Sequence, residues 1–150
     1  PVDLATNKVL ALAGRLEPRD WVDMILANEK IQHIGLLAWA ACGKDPGFSP
    51  LTILDEAART HYSDIEISSL EFEGERPDVP HLSKCWKKIL LEAKEIIDIL
   101  PPEQAGKCVL SGKLEVLNGT FDELKDAIAS NEIIFHEGRL RGAFPVLITK

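Results

Sequence analysis

The sequence predicts an α+β protein that is mainly helical and ends in a small antiparallel ββαββ unit. Apolar residues recur at helical spacing as far as residue 100, the pair Pro101-Pro102 stops that pattern, and shorter alternating segments follow. A chain of 150 residues is long enough to bury a core without disulfide staples. We therefore expect a helical domain over 1–101 and a small α+β appendage over 102–150 that packs against it.

Two short helices are expected first, over about 3–16 and from residue 18 onward. Asp3 can accept the free amide hydrogens of the first turn, and Glu17-Pro18 is a start signal for the second helix. The apolar stripe of the second helix is predicted to consist of Trp21, Val22, Ile25 and Leu26. The two helices should therefore meet at a tight corner.

Four further helices are expected over residues 31–42, 50–61, 62–70 and 82–100. The segment 31–42 is apolar on nearly all sides, which indicates a central helix that ends at Gly43. Ser49-Pro50 is a capping signal for the next helix. The last of the four has the clearest apolar face in the sequence, and we expect Pro101-Pro102 to end it.

The C-terminal unit is predicted from a change of period after residue 106. Segments 107–111 and 113–117 read as two strands joined at Ser111-Gly112, and Thr120 is expected to cap a helix over 121–130. A second hairpin is expected to join 133–136 to 139–144. A unit of this size is marginal alone and should rest on the helical part.

The predicted corner carries an unusual concentration of charge. Lys8 and Arg15 fall on one line of the first helix, among apolar residues, so both should be only partly exposed. Asp20 and Asp23 should project together from the side of the second helix opposite its apolar stripe. Arg19 lies beside them. If the corner folds back, the three cations come within reach of the two carboxylates, as a structural ion-pair network or as a site for an anionic ligand.

These residues carry a resemblance. The run Asp3-Leu4-Ala5-x-x-Lys8-x-x-Ala11-Leu12-x-x-Arg15-x-x-x-Arg19-Asp20-x-x-Asp23 resembles the late motif of the abortive-infection type E toxins, nucleotidyltransferase-like proteins of bacterial toxin–antitoxin systems. The resemblance implies that Lys8, Asp20 and Asp23 are catalytic. It also implies that Lys8, Arg15 and Arg19 bind nucleotide phosphates. Residues 132–145 match the ending of such proteins less specifically.

The sequence departs from that family in one respect. The family's Gly-Ser-type turn and paired strand carboxylates, which hold the metal ions, precede the lysine motif. Nothing before Asp3 can supply them, and the chain has no Gly-Ser dipeptide or Asp-x-Asp triplet. Two explanations stay open: the chain is the later part of a longer protein, or it is a short relative that has lost its catalytic half.

The resemblance therefore implies the C-terminal portion of a nucleotidyltransferase that contributes a phosphate-binding lysine. The complete enzyme would use a nucleoside triphosphate and Mg²⁺, whereas the isolated chain should be inactive and hold neither. The implied partners are an N-terminal nucleotidyltransferase half, an antitoxin, and a nucleotide or nucleic acid acceptor. The alternative from another class is a non-enzymatic helical interaction module of unknown partner.

Composition excludes several classes. A formal charge of −7 repels a phosphate backbone, so sequence-independent nucleic-acid binding over the whole surface is not expected. The longest near-apolar stretch is too short for a bilayer span, so no membrane association is expected. The three cysteines, Cys42, Cys85 and Cys108, are odd in number and widely spaced, which indicates reduced thiols in a cytoplasmic protein.

No metal site is predicted. His81 and Cys85 lie four residues apart on a predicted helix, but zinc usually needs three or four protein ligands and no second pair is present. His33 is isolated in the sequence. We interpret it as a surface residue or a satisfied core histidine rather than a catalytic one.

Overall fold

The computed structural model describes residues 2–15, 18–45, 47–59 and 78–137. These residues form six α-helices and a two-stranded antiparallel sheet, which confirms a mainly helical α+β class. The helices are α1 (Val2–Arg15), α2 (Pro18–Lys30), α3 (Ile34–Ala41), α4 (Pro50–Ala57), α5 (Val79–Ile99) and α6 (Phe121–Ala129). The strands are β1 (Cys108–Ser111) and β2 (Ile133–His136), and a short 3₁₀ turn spans Pro102–Gln104.

The starts of α2, α4 and α6 follow local signals in the sequence. α2 begins at Pro18 as predicted. The side chain of Ser49 accepts the amide hydrogen of Thr52 at the start of α4. Thr120 and Glu123 form a reciprocal capping box at the start of α6. Ser49 and Thr120 each satisfy an amide that would otherwise lack an intrahelical partner, whereas Pro18 has no amide hydrogen to satisfy and its fixed φ suits the first helical position.

Several helix boundaries differ from the prediction, and α5 begins at Val79, three residues before the predicted start. α1 begins at Val2, so Asp3 lies in the first turn instead of preceding the helix. α3 begins at Ile34 rather than residue 31, because the ring of His33 accepts the amide hydrogen of Gly35 as an N-cap. α4 ends at Ala57, four residues before the predicted end. The predicted helix over 62–70 lies outside the described residues.

α3 lies at the centre of the fold. All eight of its residues are buried, as its apolar sequence predicted, and it packs against α1, α4 and α5. Gly35 permits a close approach to α5, since a Cβ there would lie 3.0 Å from the Cα of Ala93. One hydrophobic core continues from these helices into β1 and α6, where Val109 and Leu124 are fully buried. The predicted appendage thus shares the core of the predicted helical domain.

The pairing of the small sheet differs from the prediction. β1 pairs antiparallel with β2, from Cys108 opposite His136 to Ser111 opposite Ile133. The predicted strand over 113–117 is wrong for these residues, which make only a single bridge, between Leu110 and Val116.

Hydrogen bonds from the helical part explain that difference. The carbonyl of Leu117 accepts a hydrogen bond from the side chain of Gln32, and the side chain of Asn118 donates to the carbonyl of Glu29. The same Gln32 amide also donates to the carbonyl of Val109, so it holds the segment beside β1 at Leu117, while Asn118 bonds to the end of α2 and the pairing with β1 stops there. The predicted strand over 139–144 lies outside the described residues.

Candidate functional site

The lysine of the charged corner contacts one of the two aspartates. Lys8 Nζ on α1 lies 2.6 Å from Asp23 Oδ2 on α2, which is a short charge-assisted hydrogen bond. Both side chains are about one-third exposed, at 32% and 31%. The corner therefore folds back as expected for this pair. The ammonium is held in place by one acid while its remaining hydrogens lie near the surface.

Asp20 does not share a polar patch with Asp23. Its relative exposure is only 6%, whereas Leu26, predicted to be in the apolar stripe, is 45% exposed. Met24, which was not predicted to belong to the apolar stripe, is buried. The prediction of a single polar side is wrong because α2 contacts three helices, α1, α3 and α5. These contacts bury residues on more than one side of α2, so the buried surface is wider than a single apolar stripe. Asp20 is thus a buried group with bonding partners within the protein.

The arginines are placed differently from the lysine. Arg19 is exposed and has an interaction within the protein. Arg15 is the last residue of α1, and its side chain lies outside the described part of the structure. The structure therefore brings Lys8 and Asp23 together, while the assigned roles of Arg15, Arg19 and Asp20 stay predictions.

A second lysine, missed by the sequence analysis, contacts α1 beside Lys8. Lys44 follows α3, and its Nζ donates a hydrogen bond of 3.0 Å to Oδ1 of Asn7, the residue before Lys8. No local signal predicts this contact, because Lys44 and Asn7 are 37 residues apart. Consecutive residues leave a helix in directions about 100° apart, so Asn7 and Lys8 do not face each other.

A buried histidine and a half-buried glutamate lie close together in a second polar cluster that no sequence pattern predicted. The Nδ1 atom of His33 accepts the amide hydrogen of Gly35, so the neutral ring carries its proton on Nε2. That atom lies 3.6 Å from Glu92 Oε1 on α5, which is too long for a hydrogen bond. The ring of Phe121 lies 6.4 Å away, centroid to centroid. His33 is thus a buried capping histidine and not a surface residue. Its Nε2 has no hydrogen-bond partner among the described residues, so it is not the satisfied core histidine that was predicted either.

Burial shifts the acid–base behaviour of this pair in opposite directions. It lowers the pKa of His33 from 6.5 to about 4, because the charged ring would lose its hydration. It also raises the pKa of Glu92, an effect that Lys88 opposes and that Glu95 and Asp122 reinforce. His33 is therefore neutral in the folded protein near pH 7.

Folding stability is expected to fall as the pH is lowered from about 6.5 to about 4. In this window the unfolded chain binds a proton at residue 33 and the folded chain does not, so acid favours unfolding by up to about 3 kcal/mol. Glu92 acts with the opposite sign, since its raised pKa makes the folded state lose stability as the pH rises through it. Denaturant unfolding of the protein at a series of pH values measures the combined effect of His33 and Glu92 on the free energy of unfolding.

The variant His33→Asn isolates the contribution of His33 to the pH dependence of stability. Asparagine is a good N-cap and does not titrate, so the cap is kept while the histidine contribution disappears. We expect the pH dependence of the unfolding free energy to be shallower in this variant between pH 6.5 and 4. An identical slope in both proteins would show that His33 is protonated equally in the folded and unfolded states.

The described residues offer little for a metal ion. They contain no group of three or more His, Cys, Asp or Glu side chains that could hold one. An open depression on α6 and the turn after it is lined by Glu123, Asp126, Ala127, Ala129, Ser130 and Glu132. Its three carboxylates make it a poor site for a phosphate, and it includes none of the predicted site residues.

Comparisons with protein-family models, curated proteins and solved structures gave no match to this chain. The resemblance to the toxin family therefore stays a prediction that depends on the corner motif. Among the described helices, none combines the length and the apolar character needed to cross a bilayer.

Proposed function

We propose that this chain is the C-terminal portion of a nucleotidyltransferase-like protein of toxin–antitoxin type, in which Lys8 binds the phosphates of a nucleoside triphosphate. The observation that supports the proposal is the partly exposed ammonium of Lys8 held 2.6 Å from Asp23. An ammonium has three N–H donors, and this contact uses one of them. The others are free to meet phosphate oxygens that a neighbouring segment or domain delivers.

The chemistry of the Lys8 side chain also supports an anionic ligand. Lysine is a compact point charge that suits phosphate groups. Because Asp23 fixes the Lys8 side chain before any ligand arrives, less side-chain entropy is lost on binding.

The reaction places a specific demand on this lysine. An acceptor oxygen forms a bond to the α-phosphorus, the bond from that phosphorus to the bridging oxygen breaks, and pyrophosphate leaves with the negative charge. An ammonium beside the departing oxygens stabilises that charge as it develops. The described residues do not fit a magnesium site, so the metal of such an enzyme would have to be held elsewhere in the complete protein.

The proposal makes two linked predictions for the native protein. Its intact mass, measured from the cells that produce it, should exceed the 16.6 kDa of this chain by at least one catalytic domain. In that complete protein, Lys8→Met should lower kcat/KM for nucleotide transfer by about 10²–10³. The melting temperature should change by only a few degrees, because a partly exposed ion pair contributes about 1 kcal/mol or less.

A matched control is Lys113→Met, which removes the same charge from an exposed lysine in the turn after β1. We expect this variant to keep its activity. If Lys8→Met keeps its activity but melts many degrees lower, the pair is a structural brace and the interaction-module alternative is favoured. A native mass equal to that of this chain would exclude the enzyme proposal.

A further inference from the structure

A histidine and a cysteine lie side by side near the start of α5. His81 and Cys85 are four residues apart, which places them on the same face of the helix. Cys85 Sγ lies 3.6 Å from His81 Nε2. His81 is exposed and Cys85 is half-buried, so a solute can reach both atoms from the same side.

The separation of these two atoms equals that of two ligands on one tetrahedral zinc ion. Zinc lies about 2.3 Å from a thiolate sulfur and about 2.0–2.1 Å from an imidazole nitrogen, so a tetrahedral angle separates the two atoms by about 3.6 Å. The apo contact is a thiol–imidazole hydrogen bond of the same length. Zinc can therefore replace the shared proton, which leaves to solvent, with little movement of either side chain.

The helix that carries the pair is firmly anchored. Asp78 caps the start of α5 by accepting the amide hydrogen of His81. The next residue after Cys85, Trp86, is buried in the core. Ligands on a rigid element need less ordering when the metal binds, which favours binding by this pair over binding by two side chains on a mobile loop.

The described residues supply two of the four ligands that a structural zinc ion takes. They contain no group of three or more metal-binding side chains. A second copy of the chain, related by a twofold axis, carries the same two ligands on its own exposed helix face. Two such pairs make a complete Cys₂His₂ set.

We propose that His81 and Cys85 form a half-site for zinc, and that two copies of this chain complete the site by sharing one ion. The proposal is independent of the nucleotide site, because Lys8 and Asp23 lie on other helices. It assigns to the start of α5 a metal-dependent contact between two identical chains.

The test is a titration of the chain with Co²⁺ and Zn²⁺ under reducing conditions. Co²⁺ should give the thiolate charge-transfer absorption and the visible bands of a tetrahedral site, saturating at one ion per two chains. Zinc should displace Co²⁺, release two protons per ion and double the molar mass in analytical ultracentrifugation. Cys85→Ser and His81→Ala should each weaken zinc binding at least about a hundredfold, since even outer-shell changes can cost 10–100-fold.

Cys42→Ser is the matched control. The Cys42 thiol bonds to the carbonyl of Trp39 in the core, so this variant should keep the cobalt spectrum and the zinc-dependent dimer. A monomer that binds one ion per chain would overturn the proposal. So would absence of the thiolate absorption, or a cobalt spectrum that survives in Cys85→Ser.

Discussion

Gly43→Ala is expected to lower the free energy of unfolding by about 3 kcal/mol, or roughly 10 °C in Tm. A Cβ at this position would lie 2.3 Å from the carbonyl oxygen of Gly106 and 3.0 Å from its carbonyl carbon. Both atoms are backbone, so no side-chain rotation can relieve the clash. The segment before β1 must move away from the end of α3.

That movement breaks two contacts to one tryptophan. The amide of Gly106 donates to the carbonyl of Trp39, and the indole N–H of Trp39 donates to the carbonyl of Gln104. We therefore expect the fluorescence of the folded Gly43→Ala protein to change as Trp39 loses its partners. Thermal and denaturant unfolding measure the loss of stability itself.

Gly14→Ala is the matched control for this substitution. A Cβ at Gly14, in α1, would have no atom within 4 Å, so the same chemical change meets open space. Alanine is the better helix former, and we expect this variant to be about 0.5 kcal/mol more stable. Equal effects of the two substitutions would show that the backbones of Gly43 and Gly106 are not in close contact.

Gln32→Leu is expected to cost about 2–4 kcal/mol of stability. The Gln32 side chain is fully buried, and its amide nitrogen donates to the carbonyls of Val109 at 2.9 Å and Leu117 at 3.1 Å. Leucine has a similar volume but no donor. The substitution removes this donor from two buried carbonyl groups, and an unsatisfied buried group costs about 1–3 kcal/mol. The Val109 carbonyl keeps a weak contact with the amide of Leu117 at 3.5 Å. Removal of Gln32 Oε1, which is buried without a hydrogen-bond partner among the described residues, offsets part of the cost.

The effect should concentrate on the C-terminal unit. Gln32 lies between α2 and α3, and its two acceptors belong to β1 and to the segment that follows it. Hydrogen exchange in Gln32→Leu should accelerate more in β1 and β2 than in α3. Gln104→Leu is the control, because that side chain is only partly buried and accepts from Lys107. A loss of stability below about 0.5 kcal/mol in both variants would contradict the claim that the Gln32 side chain holds β1 and the following segment in place.

Local chemistry was sufficient to predict several elements. Pro18, Ser49 and Thr120 each place a helix start from two or three neighbouring residues, and all three are observed. The paired prolines after α5 likewise end that helix near the predicted residue. Such signals act within one turn, through a capping hydrogen bond at Ser49 and Thr120 and through the fixed φ and missing amide hydrogen of proline, so they do not depend on the rest of the fold.

Most of the missed features depend on residues far apart in the chain. The start of α3 is the exception, since the His33 ring that caps it lies two residues from Gly35. The buried acceptors of Gln32, by contrast, lie 77 and 85 residues away. Asp20 was predicted to lie on a polar side because a helical projection cannot show how many neighbours will cover α2.

The contacts of the candidate site also separate into one that the sequence predicted and others that it did not. The contact between Lys8 and Asp23 was expected from the corner between two short helices, and it is present. The contact between Lys44 and Asn7 requires the packing of α1 beside the end of α3, which no spacing in the sequence predicts. The same holds for the approach of Glu92 to His33 across the core.

The central claim is that the ammonium of Lys8, held by Asp23, binds phosphate oxygens. A titration of the complete native protein with inorganic tripolyphosphate at low ionic strength, followed by the NMR signal of the Lys8 side-chain nitrogen, tests it most directly. We predict a saturable shift at Lys8 and Asp23, at least tenfold weaker binding in Lys8→Met, and unchanged binding in Lys113→Met. Equal affinities in the two variants, or shifts that spare Lys8, would contradict the claim.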